Sequence, residues 1–219
     1  MDTMIDWTRI DTVLLDMDGT LLDLNFDNVL WTQRLPHRYA EHHGVDHDEA
    51  RDALFAHMHE KRNTLEFYCI DYWTTHTRLD IVGLHHELSH LIRWRGHAET
   101  FIRRITTSGR RAVLITNAHR KSLAVKNAAT DLTASLDASI SAHDYCAPKE
   151  APEFWEQLRS EEPFDPERTL FIDDNAAVLD AAREYGVSQL VTVSQPDSAR
   201  PPRNDLDYVA FNQFDEIMP

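Results

Sequence analysis

The chain's 219 residues suffice for one substantial domain or a core with a smaller insertion. Its 42 % hydrophobic and 27 % charged residues are the mix of an ordinary globular protein, and a formal net charge of -15 with a pI near 5.2 argues against a basic groove for nucleic acid or a cationic membrane-surface patch. The opening "MDTMIDWTRIDT" has neither a cationic leader nor an apolar stretch, no later run is long enough to span a bilayer, and Cys69 and Cys146 lack metal-type or redox spacing, so the expectation is a cytoplasmic protein with reduced thiols.

The first element is "TVLLDMD", Thr12 to Asp18, a β-branched and leucine run without polar alternation, as suits a strand covered on both faces. After Asp23 no strand run appears until about Arg95, yet the stretch is far too long for a plain loop. Its pattern is helical. Pro36 is expected to end or kink an early helix. Asp46 can cap another that carries Ala50, Ala53, Leu54 and Met58 on one face, and Ile81, Leu84, Leu88, Leu91 and Ile92 follow at spacings of three and four.

Beyond this segment, "HAETFIRRITTSG" predicts a helix stopped by Gly109, and "NAAVLDAAREYG" one stopped by Gly186. Further buried-strand runs lie at Arg111 to Asn117, Arg168 to Asp174 and Ser188 to Ser194, with shorter ones at Asp137 to Ser141 and Asp207 to Phe211. The alternation predicts an α/β fold, a Rossmann-like doubly wound parallel sheet, with an all-helical insertion over the end of the first strand. The expected organisation is a core of residues 1–23 and 95–219 and a helical cap of residues 24–94. A proline-rich surface connection, Ser194 to Asp205, comes near the end.

Ligands of open α/β sheets bind at the carboxyl ends of the strands. Three predicted strands end there in polar pairs: Asp16 with Asp18, Thr116 with Asn117, and Asp173 with Asp174. "CAPKE" adds Lys149, one of only four lysines. Two carboxylates about 4 Å apart repel by roughly 4 kcal/mol at an effective dielectric of about 20, so a convergence of four requires compensation. A hard divalent cation, Mg2+, together with a substrate phosphate would supply it, with Lys149 and the Thr116 hydroxyl as donors. One carboxylate of "DMDGT" can attack phosphorus and the other move protons. Gly19 permits the tight turn between them and the helical segment.

"DMDGT", Thr116 in "LITN", Lys149 in "APKE" and Asp173-Asp174 in "FIDDN" resemble, in order, the four motifs of the haloacid dehalogenase-like hydrolases. The resemblance implies Asp16 as nucleophile, Asp18 as general acid and base, and Thr116, Asn117 and Lys149 around the phosphate. It further implies Mg2+ held by Asp16, the Asp18 carbonyl, Asp174 and Asp173, the last directly or through water, and a cap inserted after the first motif. "DTVLLDMDGTLLDLNFDN", "YCIDYW", "VLITNAHR" with "LAVK", "PKE" and "ERTLFIDDN" also resemble the bacterial GMP/IMP 5′-nucleotidases of this superfamily. From that resemblance comes the expected substrate, a small phosphate ester of the purine nucleoside monophosphate type.

Asn25 and Asp27, at the entry to the helical segment, and Tyr68 and Trp73 are the candidate substrate contacts. The aromatic residues, Trp31 among them, fit either a base-stacking wall or the segment's own core. His43 with His47 and His57 with His59 have spacings compatible with a second metal, but no acid or cysteine completes either pair. Alternatives are a sugar-phosphate phosphatase or phosphomutase on the same core, a phospho-acceptor receiver domain, and a catalytically silent nucleotide binder. Receivers lack both "DxDGT" and a long helical insertion. The oligomeric expectation is a monomer or homodimer.

Overall fold

The unbroken apolar runs form six strands in a computed structural model that describes residues 5–219. These are β1 (Thr12–Leu15), β2 (Arg111–Thr116), β3 (Ala138–Ser141), β4 (Thr169–Ile172), β5 (Gln189–Val193) and β6 (Val209–Phe211). All pair in parallel, in the order β3-β2-β1-β4-β5-β6, which is the doubly wound order. The central strands β1 and β4 show no polar alternation because both faces are covered. Val13 and Leu15 pack toward one apolar cluster and Leu14 toward another.

The first cluster is closed by α7 (Ala98–Thr107) and α8 (Arg120–Thr130), through Phe101, Ile102, Ile105, Leu123 and Val125. The second is closed by α9 (Pro152–Glu161) and α10 (Ala176–Tyr185), through Phe154, Trp155, Leu158, Val178 and Leu179. Gly186 ends α10 in the left-handed region at φ 106°. Register then sets the site. Leu15 pairs with Ile172, so Asp16 emerges beside Asp173, and the Asp16 N–H donates to the Ile172 carbonyl at 3.0 Å.

Between β1 and β2 lie α1 (Asn25–Val29), α2 (Leu35–His43), α3 (His47–Glu60), α4 (Leu65–Tyr68), α5 (Ile70–Thr77) and α6 (Ile81–Glu87). Asp46 caps α3, accepting from the Asp48 and Glu49 N–H groups. The chain enters and leaves this segment side by side. Asp23 N–H donates to the Arg93 carbonyl and Arg95 N–H to the Leu21 carbonyl, both at 2.9 Å. Phe26, Leu30, Leu54, Trp73, Ile81 and Leu84 continue the apolar cluster on the Leu15 face of the sheet.

Two details differ from the sequence reading. Pro36 does not end a helix: the chain is helical without a break over residues 25–43, and a π-helical turn at Leu30–Arg34 lies immediately before α2, whose second residue is Pro36. The periodic stretch from Ile81 to Ile92 is not one helix. α6 stops at Glu87 and a 3₁₀ turn, Ser89–Leu91, carries the rest.

Candidate active site

At the strand ends Lys149 is buried and bridges two acids. Its Nζ donates to Asp16 Oδ1 at 2.6 Å, to Asp173 Oδ2 at 2.7 Å and to the Ile115 carbonyl at 3.3 Å. Burial opposes its charge, but Asp16 and Asp173 outweigh that and hold the Lys149 proton more firmly than in a free lysine. Burial also pushes the Asp16 carboxyl well above the usual carboxylate range, against Lys149 and with help from the charges of Asp173, Asp174 and Asp18. Asp173 is raised by burial in the same way, and Asp174 is pushed up to about 7, by burial first and then by Asp173.

One ammonium therefore serves a cluster of two buried carboxyls and a half-buried one. Asp16, Asp173 and Asp174 each bring an oxygen to within 4.8 Å of the others. This set of hard oxygen donors with uncompensated charge fits a divalent cation such as Mg2+.

Gly19 makes the convergence possible. Its φ is +83°, and a Cβ there would lie 2.7 Å from Asp174 Cγ, so no side chain fits between the turn and that carboxylate. Gly19 N–H donates to the Leu22 carbonyl and Leu22 N–H to the Met17 carbonyl, both at 2.8 Å, which closes the turn. Thr116 is buried at the end of β2, its hydroxyl accepting from Ala118 N–H at 3.0 Å. Asn117 is committed on both side-chain atoms. Its Oδ1 accepts from Lys149 N–H at 2.8 Å and its Nδ2 donates to Glu150 Oε2 at 2.9 Å. Asn175, rather than Asp173 or Asp174, caps α10, and its own N–H is held by Asp173 Oδ1 at 2.8 Å.

Asp16 and Asp18 belong to different lysines. As the chain turns, Asp18 meets Lys126, which reaches up from α8. Lys126 Nζ donates to Asp18 Oδ1 at 2.6 Å and to both oxygens of Asp27 at 2.7 and 2.9 Å, with the Phe26 ring 5.2 Å away. A single cation cannot neutralise two carboxylates. Lys126 stays protonated because Asp18 and Asp27 overcome the effect of its burial, while burial and then the Asp18 charge push Asp27 up to about 7.

A family model for haloacid dehalogenase-like hydrolases matches residues 10–186. The chain belongs to that family. This hydrolase is 37 % identical to the GMP/IMP nucleotidase YrfG of Escherichia coli (strain K12) over 219 residues, covering all of this chain and 99 % of that one. Its fold is shared with a HAD phosphatase from Thermococcus onnurineus (TM-score 0.79, 18 % identity, 95 % and 96 % of the two chains covered). CbbY from Rhodobacter sphaeroides, solved in complex with phosphate, is similar at TM-score 0.60 and 18 % identity, with 94 % and 95 % covered.

Between the hydrolase core and its helical segment lies a cavity of about 510 Å3, within the range of small-molecule sites. Asp18, Ala118 and Ser122 line it on the core side, and Asp27, Trp31, Phe67, Tyr68 and Trp73 on the other. Of the four substrate candidates, Asp27, Tyr68 and Trp73 reach the cavity, but Asn25 is not among its lining residues. Trp73 also serves the segment's core. It is fully buried, donates from Nε1 to the Phe67 carbonyl at 3.0 Å and meets Trp31 edge to face. Tyr68 donates to Glu150 Oε1 at 2.9 Å, linking α4 to the loop of Lys149.

The histidine pairs are spent otherwise. His43 Nε2 contacts the Thr77 carbonyl at 2.9 Å, and His57 stacks on His76 with ring centroids 4.0 Å apart. Lys126 and Glu150 were not singled out by sequence. The closest signal is Lys126's position ten residues after Thr116, about two turns along the helix that the Thr116 strand enters.

Among the described residues no helix is long and apolar enough to cross a membrane.

Proposed function

We propose that this hydrolase is a magnesium-dependent phosphomonoesterase of purine nucleoside 5′-monophosphates, GMP and IMP in particular. The reaction class is carried by one observation: Asp16, Asp173, Asp174 and Lys149 meet at the strand ends, and Asp18, two residues beyond Asp16, lines the cavity. The substrate assignment draws on the full-length likeness to the nucleotidase of E. coli, whose name carries GMP and IMP. An aromatic wall of Trp31, Phe67 and Tyr68 in a cavity of this size supports it, since a purine ring offers a face to stack on each.

In the proposed cycle an Asp16 carboxylate oxygen attacks phosphorus, forming the aspartyl-phosphate as the P–O5′ bond breaks. Asp18 protonates the departing nucleoside oxygen. It then takes a proton from the water that attacks the same phosphorus, so that phosphate leaves and both carboxyl groups return to their starting states. Lys126 grips Asp18 by Oδ1 alone, which leaves the second oxygen free to carry the proton. Lys149 and the Thr116 hydroxyl orient the phosphate, and Lys149 keeps Asp16 in line for attack.

Asp16, Asp174, Asp173 and the Asp18 carbonyl would hold Mg2+, which when bound offsets the charge developing on the phosphoryl oxygens. Residues 24–94 act as a cap that keeps bulk water from the aspartyl-phosphate. The protein works as a soluble cytoplasmic enzyme, a monomer or homodimer.

A panel of GMP, IMP, AMP and hexose phosphates assayed with Mg2+ tests this. GMP and IMP are expected to be hydrolysed fastest, chelator to abolish the activity and added Mg2+ to restore it. Hexose phosphates turning over faster than GMP would replace the nucleotidase reading with that of a sugar-phosphate phosphatase.

A further inference from the structure

A second cluster of ligating side chains lies apart from the acidic one. Cys69, His119 and His143 bring one sulfur and two imidazole nitrogens to within 4.8 Å of one another. They come from three separate stretches of chain. Cys69 stands at the N-terminus of α5 in the helical segment, His119 caps α8 after β2, and His143 sits in the turn that follows β3. The two imidazoles meet edge to face at 4.8 Å.

Ordinary packing leaves one atom unexplained. His143 Nε2 is buried and makes no hydrogen bond of good geometry among the described residues, although the Asn117 and Tyr68 backbones approach its ring. Beside the cluster, Asp71 Oδ2 lies 3.8 Å from His119 Nε2, while its other oxygen is held by Lys121. A carboxylate next to a ligating imidazole is the usual companion of a metal-bound histidine. Burial lowers the proton affinity of both His119 and His143, so both imidazoles are available as neutral donors.

We propose that Cys69, His119 and His143 form a binding site for a soft divalent transition metal of the zinc class, distinct from the acidic Mg2+ site. Thiolate with two imidazoles is a donor set that Zn2+ takes with a fourth position left for water or carboxylate. Mg2+, which demands oxygen ligands, does not compete for it. Tetrahedral coordination at ordinary Zn–S and Zn–N lengths separates donors by about 3.3–3.7 Å. Cys69 Sγ and His119 Nδ1 are each held by a long contact, accepting from Tyr72 N–H at 3.4 Å and from Lys121 N–H at 3.3 Å. Because Cys69 belongs to the helical segment and both histidines to the core, a bound ion would tie one to the other beside the substrate cavity.

The test is Zn2+ binding to the full chain in excess Mg2+, which keeps the acidic site occupied. One equivalent should bind, with affinity at least tenfold weaker in Cys69→Ser and in His143→Ala, both of which retain their fold by circular dichroism. Co2+ in place of Zn2+ should give an intense near-ultraviolet thiolate band that Cys69→Ser lacks.

A measurement on the unaltered protein guards against a variant that fails to fold. Zn2+ should slow alkylation of Cys69 at least tenfold and leave the exposed Cys146 unchanged. No binding in excess Mg2+, equal affinity in wild type and both variants, or equal protection of the two cysteines would overturn the proposal.

Discussion

The acidic cluster at the strand ends, here the floor, and the apolar wall of the neighbouring cavity, here the roof, are built on opposite principles, and Asp18 alone of the strand-end acids lines that cavity. The floor is a charge problem: three carboxyls share one ammonium, whose own three donors are all used, so their remaining charge needs a further cation. The roof is an apolar problem: Trp31, Phe55, Phe67 and Trp73 face the cavity, and the polar groups among them are largely satisfied by the protein itself. A frustrated floor suits a reaction in which charge moves, because added positive charge is bound where it stabilises the change. A satisfied roof suits selection by shape. Lys126 joins the two, since it holds Asp18 of the floor and Asp27 of the roof on one nitrogen.

The sharpest way to break this contrast is Asp16→Asn. Turnover is expected to fall about 10⁴-fold or more while thermal unfolding remains cooperative, because the substitution removes the nucleophile but also one of the repelling charges. Substantial residual hydrolysis would move the nucleophile elsewhere. Lys126→Met comes next. It strands Asp18 and Asp27 without their shared cation, and the cost is expected at about 3–5 kcal/mol in urea unfolding. Adding Asp27→Asn to that variant should recover part of the loss. Equal stability of wild type and Lys126→Met would show that the link carries little.

Trp31→Ala is a roof variant and should act on recognition alone. KM for GMP is expected to rise about tenfold with kcat little changed, in keeping with the loss of one aromatic partner. A fall in kcat without a change in KM would put Trp31 in the machinery of the floor.

The last expected effect is on pH. Asp27 and Asp174 each titrate near 7 in the folded protein and near 4 when unfolded. A raised carboxyl binds more protons folded than unfolded, so its contribution is complete below pH 4 and lost as pH rises through 7. Metal-free protein should therefore lose thermal stability between pH 4 and 7, by roughly 2–4 °C for each kcal/mol. Mg2+ should remove the Asp174 share and Asp27→Asn the Asp27 share. A stability that climbs over that interval would contradict both assignments.

The central strands β1, β2 and β4 were legible because burial on both faces leaves an apolar run, a signal that needs no knowledge of neighbours, whereas β3 and β6 at the sheet edges showed only as short runs. The order of "DMDGT", "LITN", "APKE" and "FIDDN" was legible for a related reason, since strand ends of a parallel sheet share one edge, and the structure brings Asp16, Lys149, Asp173 and Asp174 together there. Lys126 was not legible: a lysine on a helix faces solvent far more often than a pair of acids, and only the fold brings Asp18 and Asp27 to it. Cys69, His119 and His143 are separated by 50 and 24 residues, so no local spacing could join them. The π-helical turn ahead of Pro36 was not legible, since no local spacing marks it.

The central claim is that Asp16 carries the phosphoryl group. Acid quenching of the enzyme during turnover of GMP with Mg2+, followed by borohydride reduction and peptide mass mapping, tests it directly. The account predicts that Asp16 is converted to homoserine, and only in samples that held substrate. Reduction at another carboxylate, or at none while hydrolysis proceeds, would contradict it.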